Sequence, residues 1–402
     1  MYEGYSCTDN KEGKEFDGMK KIGIITIDKV NNYGAELQTL ATQKAVEKLG
    51  YEAEIIDYLF YKNPGHKVTK CSKPLFPLPF KKHLTEWLYP RLNLLRQLTK
   101  SGTEGKKRAA NFEAFHKKHT KFSKEYRTAE ELYAAKMDYD VYVVGSDQVW
   151  NPNNYTSLDP YFLKFAPKEK RRISYASSIG VSTIPEYARN YYKEALQDLD
   201  AVSVREEDAV GIVKEVSGVD AHWVLDPTLL LTGEEWKKYY NPISNIPEKF
   251  VLLYEITPCD YLKQLALKAS RELGCPVVRI NREAIRQESD DEIINVLDAG
   301  PSEFVWLFAN AQMVLTNSFH GTAFSLNMEK NFFVVTPERK KNNSRQKSIL
   351  RLVGLEDRLI VENAPMPSKE NYDIDYNTIR PKLEKARQES MDYLKNAIDG
   401  TK

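Results

Sequence analysis

The segment Leu315-Thr316-Asn317-Ser318-Phe319-His320-Gly321-Thr322 sets a histidine among small and polar residues directly after an apolar run. An imidazole exchanges protons near neutral pH, and the free N–H groups of a first helical turn attract anions. Asn317, Ser318, His320, Gly321 and Thr322 together therefore suit an anionic ligand that must receive a proton. His320 is the best catalytic candidate among six histidines, the competing role being a helix cap or a packed ring. In Ala201-Val202-Ser203-Val204-Arg205-Glu206 an apolar strand ends in an arginine. Arg205 is expected to point into a cleft and clamp a carboxylate or phosphate through two parallel hydrogen bonds; the alternative is an ion pair with Glu206, Glu207 or Asp208. The run Val143-Val144-Gly145-Ser146-Asp147-Gln148-Val149-Trp150-Asn151 is another strand end, followed by groups that can bind sugar hydroxyls. Asp147 can accept a hydroxyl proton and Trp150 offers a flat apolar face to a pyranose, unless they are a turn aspartate and a core tryptophan. The fourth segment, Asn31-Asn32-Tyr33-Gly34-Ala35-Glu36, opens a helix and serves either a ligand or the helix cap. His116 and His119, three apart on a charged helical stretch without neighbouring acids, read as a solvated face rather than a metal site.

The elements that must carry these residues follow from periodicity. A β-branched run at 22–27, a polar loop, helical spacing at Leu37, Leu40, Ala41 and Ala45, a closing Gly50 and a second apolar run at 53–56 make a βαβ unit. Residues 60–108, with Pro74, Pro77, Pro79 and Pro90, break the rhythm as an insertion, with a helix expected around 112–118 beyond it. Strands are then expected at 140–144, 172–176 and 201–204, with a helix over 186–199. After Leu225-Asp226-Pro227-Thr228 the pattern restarts, with strands at 250–254, 277–280, 313–316 and 332–335 and helices at 262–273, 302–309 and 321–327. The expected organisation is a tail over 1–20, a domain over 21–234 and a second over 235–402 whose last helix crosses back to the first. The fold class is α/β: two Rossmann-like domains facing a cleft, GT-B-like, although periodicity alone fits two unrelated Rossmann-type domains equally well.

Composition narrows the function. With 402 residues and 42% hydrophobic content, the chain is long enough for two cores. Its 58 Lys+Arg against 57 Asp+Glu remove the charge footprint of a nucleic-acid binder. Four scattered cysteines match neither a disulfide framework nor a zinc spacing, and no apolar run is long enough to span a bilayer, so a cytoplasmic location is expected. Walker A, GxGxxG and GxSxG patterns are absent.

Read in order, Asn32-Tyr33-Gly34-Ala35-Glu36-Leu37-Gln38, the Gly145–Asn151 stretch, Ser203-Val204-Arg205-Glu206 and Asn317-Ser318-Phe319-His320-Gly321-Thr322 resemble the polysaccharide pyruvyl transferases. With Leu225-Asp226-Pro227-Thr228 and Asn343-Ser344-Arg345 the resemblance spans roughly residues 21–360. It implies a GT-B-like fold, phosphoenolpyruvate as donor substrate with no cofactor or metal, and a product in which pyruvate bridges two sugar hydroxyls as a cyclic ketal. Carried over by position, Arg205 holds the donor's phosphate or carboxylate and His320 protonates its methylene carbon or relays the proton; the donor's chemistry also needs a base, for which Asp147 is the candidate. The family often has a basic residue two positions before the histidine; here that place is Ser318, so Arg279, Arg282 or Arg345 must supply the cation. The donor set becomes Arg205, Asn317, Ser318, His320, Gly321, Thr322, Arg279 and Arg345. The acceptor set is Asn32, Tyr33, Gly34, Ser146, Asp147, Gln148, Trp150 and Asn151. Aromatic and basic residues interleave over 76–100, as in a segment lying on an anionic membrane, which suits a polyprenyl-diphosphate-linked acceptor at the inner membrane face; a helical hairpin on the first domain or a dimer contact is the alternative. Rival functions are a nucleotide-sugar glycosyltransferase of the same architecture and a catalytically inactive scaffold of a polysaccharide assembly complex.

Overall fold

A computed structural model describes residues 19–77, 103–280, 292–337 and 344–401. Short β-branched runs give short strands, and helices cover both faces of them, so the central strands are mostly apolar, as in the Val-Tyr-Val-Val run at 141–144 and the Val-Leu-Leu-Tyr run at 251–254. β1 (Lys21–Ile25), β2 (Glu52–Ile55), β3 (Val141–Val144) and β4 (Arg171–Ser174) form a parallel sheet in the order β2-β1-β3-β4. β5 (Val202–Val204) and β6 (Ala221–Trp223) pair with each other and continue from β4 through isolated bridges, Ile173 to Ala201 and Ser177 to Val204. The Ser174 and Ser203 hydroxyls hydrogen-bond across this seam and replace part of the backbone ladder.

The second sheet is parallel throughout: β7 (Val251–Tyr254), β8 (Val277–Ile280), β9 (Ile293–Val296), β10 (Met313–Thr316), β11 (Asn331–Thr336) and β12 (Leu359–Val361), in the order β12-β11-β10-β7-β8-β9. The chain lays β7 to β9 outward on one side, then returns to build β10 to β12 on the other. Both halves thus contain a point where strand order reverses, between β1 and β3 and between β7 and β10, where open α/β sheets bind ligands. Two parallel α/β halves of this kind are the GT-B-like arrangement.

Helix α1 (Tyr33–Lys48) is buried on most of its circumference because it lies between the halves. One apolar cluster runs from Ile22, Leu37 and Leu40 through Trp236, Phe304 and Phe324 to Leu394. The final helix, Tyr376–Asp399, reaches the first half: Ser390 Oγ accepts from Leu225 N at 2.9 Å, and Asp399 accepts from Tyr51 Oη at 2.8 Å. Two expectations change. The helix expected around 112–118 starts at Thr103, so residues the composition assigned to the insertion belong to it. The helix expected over 186–199 divides into a 3-10 turn, Glu186–Ala188, and a helix, Arg189–Gln197. Of the aromatic-basic stretch, residues 78–100 lie outside the described residues; Phe76 packs against Tyr187, Tyr191 and Tyr192 with ring centroids 5.7, 5.4 and 6.2 Å away. Among the described residues no helix is long and apolar enough to cross a membrane.

Candidate functional site

His320 projects from the first turn of the helix Phe319–Asn327, which starts where β10 ends at its reversal point. The residues around it in sequence hold this turn. Ser318 is the N-cap, its Oγ accepting from Gly321 N at 3.2 Å, and Thr322 Oγ1 donates to Ser318 O at 3.0 Å. Asn317 ties the turn to the loop after β7: its Oδ1 accepts from Ile256 N and its Nδ2 donates to Thr257 O, both at 2.7 Å. Asn317, Ser318, Gly321 and Thr322, expected on the donor, are therefore occupied in fixing the backbone that presents His320.

The imidazole crosses to the first half and meets the start of α1. A Cβ added to Gly34 would lie 2.0 Å from His320 Nδ1, so only glycine fits there. Asn32 caps α1, its Oδ1 accepting from Gly34 N at 3.0 Å. Tyr33 is 1% exposed, stacks on Phe304 with centroids 4.6 Å apart and donates to Ala299 O at 2.7 Å. Asn32, Tyr33 and Gly34 thus build the wall behind the histidine, and Tyr33 has no face left for a sugar.

Behind His320 lies a carboxylate that the sequence reading gave no role. Asp226 Oδ2 accepts from Arg205 Nη1 at 2.8 Å and from Ser146 Oγ at 3.1 Å, and stands 3.9 Å from His320 Nε2. Its Oδ1 accepts from Thr228 N and Oγ1 at 3.0 and 2.7 Å. It caps the short turn Pro227–Leu229 between the two halves. The only signal in the sequence was its place in Leu225-Asp226-Pro227-Thr228. Arg205 has a wholly buried side chain and is already engaged: besides Asp226, it bonds Asp147 Oδ1 at 3.3 Å and Glu206 Oε1 at 3.4 Å, and lies over the Phe319 ring. The expectation of an open anion clamp is corrected; the guanidinium faces three carboxylates and organises them.

Arg345 is different. It sits in the first turn of the helix Ser344–Val353 and forms no ion pair or hydrogen bond among the described residues. Its charge acts on His320, and its own pKa is lowered by burial and then by Arg205. With Gly180, Glu206, Asp208 and Ser344 it lines a cavity of about 70 Å³. Arg279, near the end of β8, instead donates Nε to Asn295 Oδ1 at 2.8 Å, with Nη1 3.9 Å from Glu255. Arg282 lies outside the described residues. Among the described residues, the cation that acts on His320 besides the engaged Arg205 is Arg345.

Burial lowers the His320 pKa, aided by Arg205 and Arg345 and opposed by Asp226 and Asp147, so the ring is neutral at pH 7. Burial raises the Asp226 pKa, but His320 in its protonated form and then Arg205 hold it below the ordinary carboxylate value. With His320 neutral, Arg205 is the cation that keeps Asp226 ionised.

Asp147 has a left-handed backbone, φ 68°, strained for a residue with a Cβ, and its carboxylate also accepts from Gln148 N at 2.8 Å. Its side chain keeps 21% exposure, against none for Asp226. Gln148 and Asn151 bond each other at 2.6 Å and press against Gly180, where φ is +71° and a Cβ would collide with both. Ser146 is wholly buried. Trp150 is a correction: its ring is fully buried, stacked on Phe162 with centroids 5.1 Å apart, and its Nε1 donates to Tyr161 O at 2.8 Å. It is a core residue. His116 is likewise no solvated residue, being buried in an ion-pair contact with Glu36. Among the described residues no group of three His, Cys, Asp or Glu could hold a metal ion.

The family model described as polysaccharide pyruvyl transferase matches residues 32–339. No curated protein matches the chain. Among solved structures, the chain is similar to the S. aureus MnaA–UDP co-structure at 12% identity, with 95% of this chain and 97% of that chain covered and a TM-score of 0.48. UDP-N-acetylglucosamine 2-epimerase from Rickettsia bellii is similar at 11% identity, 95% and 97% coverage and a TM-score of 0.48. Acinetobacter baumannii MurG is similar at 9% identity, 95% and 100% coverage and a TM-score of 0.41.

Proposed function

We propose that this chain, which belongs to the polysaccharide pyruvyl transferase family, moves the pyruvyl group of phosphoenolpyruvate onto a sugar of a polysaccharide precursor and closes it as a cyclic ketal. The observation that carries the reading is His320 packed against Gly34, with the Asp226–Arg205 pair behind it and Arg345 uncommitted beside it.

Arg345 takes the donor's anionic end. Arg205 does not clamp the donor; it holds Asp226 and Asp147 in place and keeps Asp226 ionised. The free site has a neutral imidazole, and a bound anion favours its protonated form, so donor binding brings a proton onto His320. The imidazolium gives that proton to the methylene carbon, leaving an oxocarbenium-like centre at the adjacent carbon. An acceptor hydroxyl adds there and loses its proton to Asp147. The C–O bond to phosphate then breaks, the second hydroxyl adds and gives its proton to the now neutral His320, and the ketal closes with inorganic phosphate released. The acceptor is carried on a polyprenyl diphosphate, and residues 76–100 dock at the anionic inner membrane face; the interleaved aromatic and basic residues of that stretch support this.

Phosphate release from phosphoenolpyruvate, measured with wild type and His320→Ala against lipid-linked and soluble galactosides, glucosides and mannosides, tests the reaction. Acceptor-dependent release that the variant loses, with a product heavier by one pyruvyl ketal, is the expected outcome. Silence across the panel together with no thermal shift from phosphoenolpyruvate rejects it.

A further inference from the structure

Buried polar side chains are normally paired, and a cluster on the carboxyl edge of the first sheet is not. Asp28, three residues beyond β1, is 1% exposed, and neither of its carboxylate oxygens accepts a hydrogen bond from another described residue. The neighbouring Lys29 is engaged with Asp57, and His116 with Glu36. The hydroxyls of Tyr58 and Tyr161, whose residues are 1% and 0% exposed, also have no partner among the described residues. These groups are neighbours: the Tyr58 and Tyr161 rings are 6.3 Å apart, and Tyr161 feels the charge of Asp28. Burial, then Glu36 and Asp57, push the Asp28 carboxyl well above its ordinary value, so it can donate as well as accept a hydrogen bond.

A fold keeps such groups unpaired at a cost in stability, and tolerates them where a ligand completes them. One carboxyl and two phenols, each able to give and take a hydrogen bond, match the hydroxyls of a neutral ligand. The carboxyls of Asp28, Glu36 and Asp57 outnumber the lysine beside them, Lys29, and disfavour a phosphate or carboxylate. The anion and the hydroxyls are thereby assigned to different groups, Arg345 for the first and this cluster for the second.

We propose that Asp28, Tyr58 and Tyr161 form a subsite for hydroxyl groups of the neutral sugar acceptor. The assignment rests on the reading above only in taking the ligand to be the acceptor. Full-length wild type, Asp28→Asn and Tyr161→Phe are compared by saturation-transfer NMR with methyl α-galactoside, glucoside, mannoside and N-acetylglucosaminide, without donor. At least one glycoside should bind wild type and bind each variant at least about tenfold more weakly, while thermal midpoints at pH 7 stay at or above that of wild type. Unchanged binding in the variants, or no glycoside bound by wild type, overturns the subsite and leaves buried water as the occupant. Should Asp28→Asn fail to fold, Tyr161→Phe, which removes one oxygen, decides alone. Glycoside binding that depends on these residues, in a protein that releases no phosphate from phosphoenolpyruvate, keeps the subsite and rejects pyruvyl transfer.

Discussion

Arg345 and Arg205 carry the same charge beside the same histidine, yet their surroundings give them different tasks. Arg205 is fully buried among three carboxylates, so its removal leaves Asp226 buried and unpaired. Arg205→Ala should lower stability by about 3–5 kcal/mol in denaturant titrations, as breaking a buried pair does. Arg345 has no such partner among the described residues. Arg345→Ala should leave the melting temperature nearly unchanged and raise KM for phosphoenolpyruvate roughly 10–100-fold, the loss of a charge-assisted contact to a ligand. The lowered pKa of His320 gives a pH signature. Because the acid form is the active one, kcat/KM for the donor should rise as pH falls below about 6.5, whereas kcat, which reports the anion-bound enzyme, should hold to higher pH. Asp28 has the opposite shift, its folded value lying well above 3.8. The folded state therefore binds more protons than the unfolded one, and the stability this supplies at low pH is lost as pH rises past the unfolded value. Asp28→Asn escapes that loss, so its thermal midpoint should gain on wild type between pH 4 and pH 7.

Helix starts and strand ends set the precision of the site. Helix α1 and the helix Phe319–Asn327 begin on opposite halves, and Gly34 and His320 occupy their first turns. Gly34→Ala places a methyl 2.0 Å from the imidazole nitrogen, so His320 must rotate or the halves must separate. Turnover should fall at least about 100-fold while far-UV circular dichroism is unchanged, since misplacing a reacting group by an ångström costs that much. Gly211, within the helix Glu207–Ser217, has nothing within 4 Å of its added Cβ. Gly211→Ala should stabilise by about 0.5–1 kcal/mol without affecting turnover, which separates helix propensity from the steric demand at Gly34. β1, α1, β3, β7, β10 and the helix after β10 were legible because each is a dense apolar run or a repeat at helical spacing. β6 and β12, three residues each, and β9, with two half-buried positions, gave too short or too mixed a pattern to read.

A single apolar cluster joins the halves, running through Leu40, Trp236 and Phe324 to Leu394 on the final helix. The halves should therefore unfold together: Leu394→Ala, at a fully buried position, should cost about 2–5 kcal/mol and shift one calorimetric transition rather than split it. Residue order alone determined the α/β class and the four segments that meet at the cleft, because periodicity and turn residues act over a few neighbours; the strand order and its reversal points came from the tertiary structure. Residue order also singled out His320 as the group to watch. The tertiary structure decided the division of labour. Asp226, Arg205 and His320 are separated by up to 115 positions, counted from 205 to 320, and their partnership exists only after both sheets close on α1. The same closure spends Arg205 on carboxylates, buries Trp150 beneath Phe162 and leaves Arg345 without an ion pair among the described residues. A charge or a ring is available to a ligand only when nothing in the folded protein has already claimed it, and that is a property of distances between residues remote in sequence.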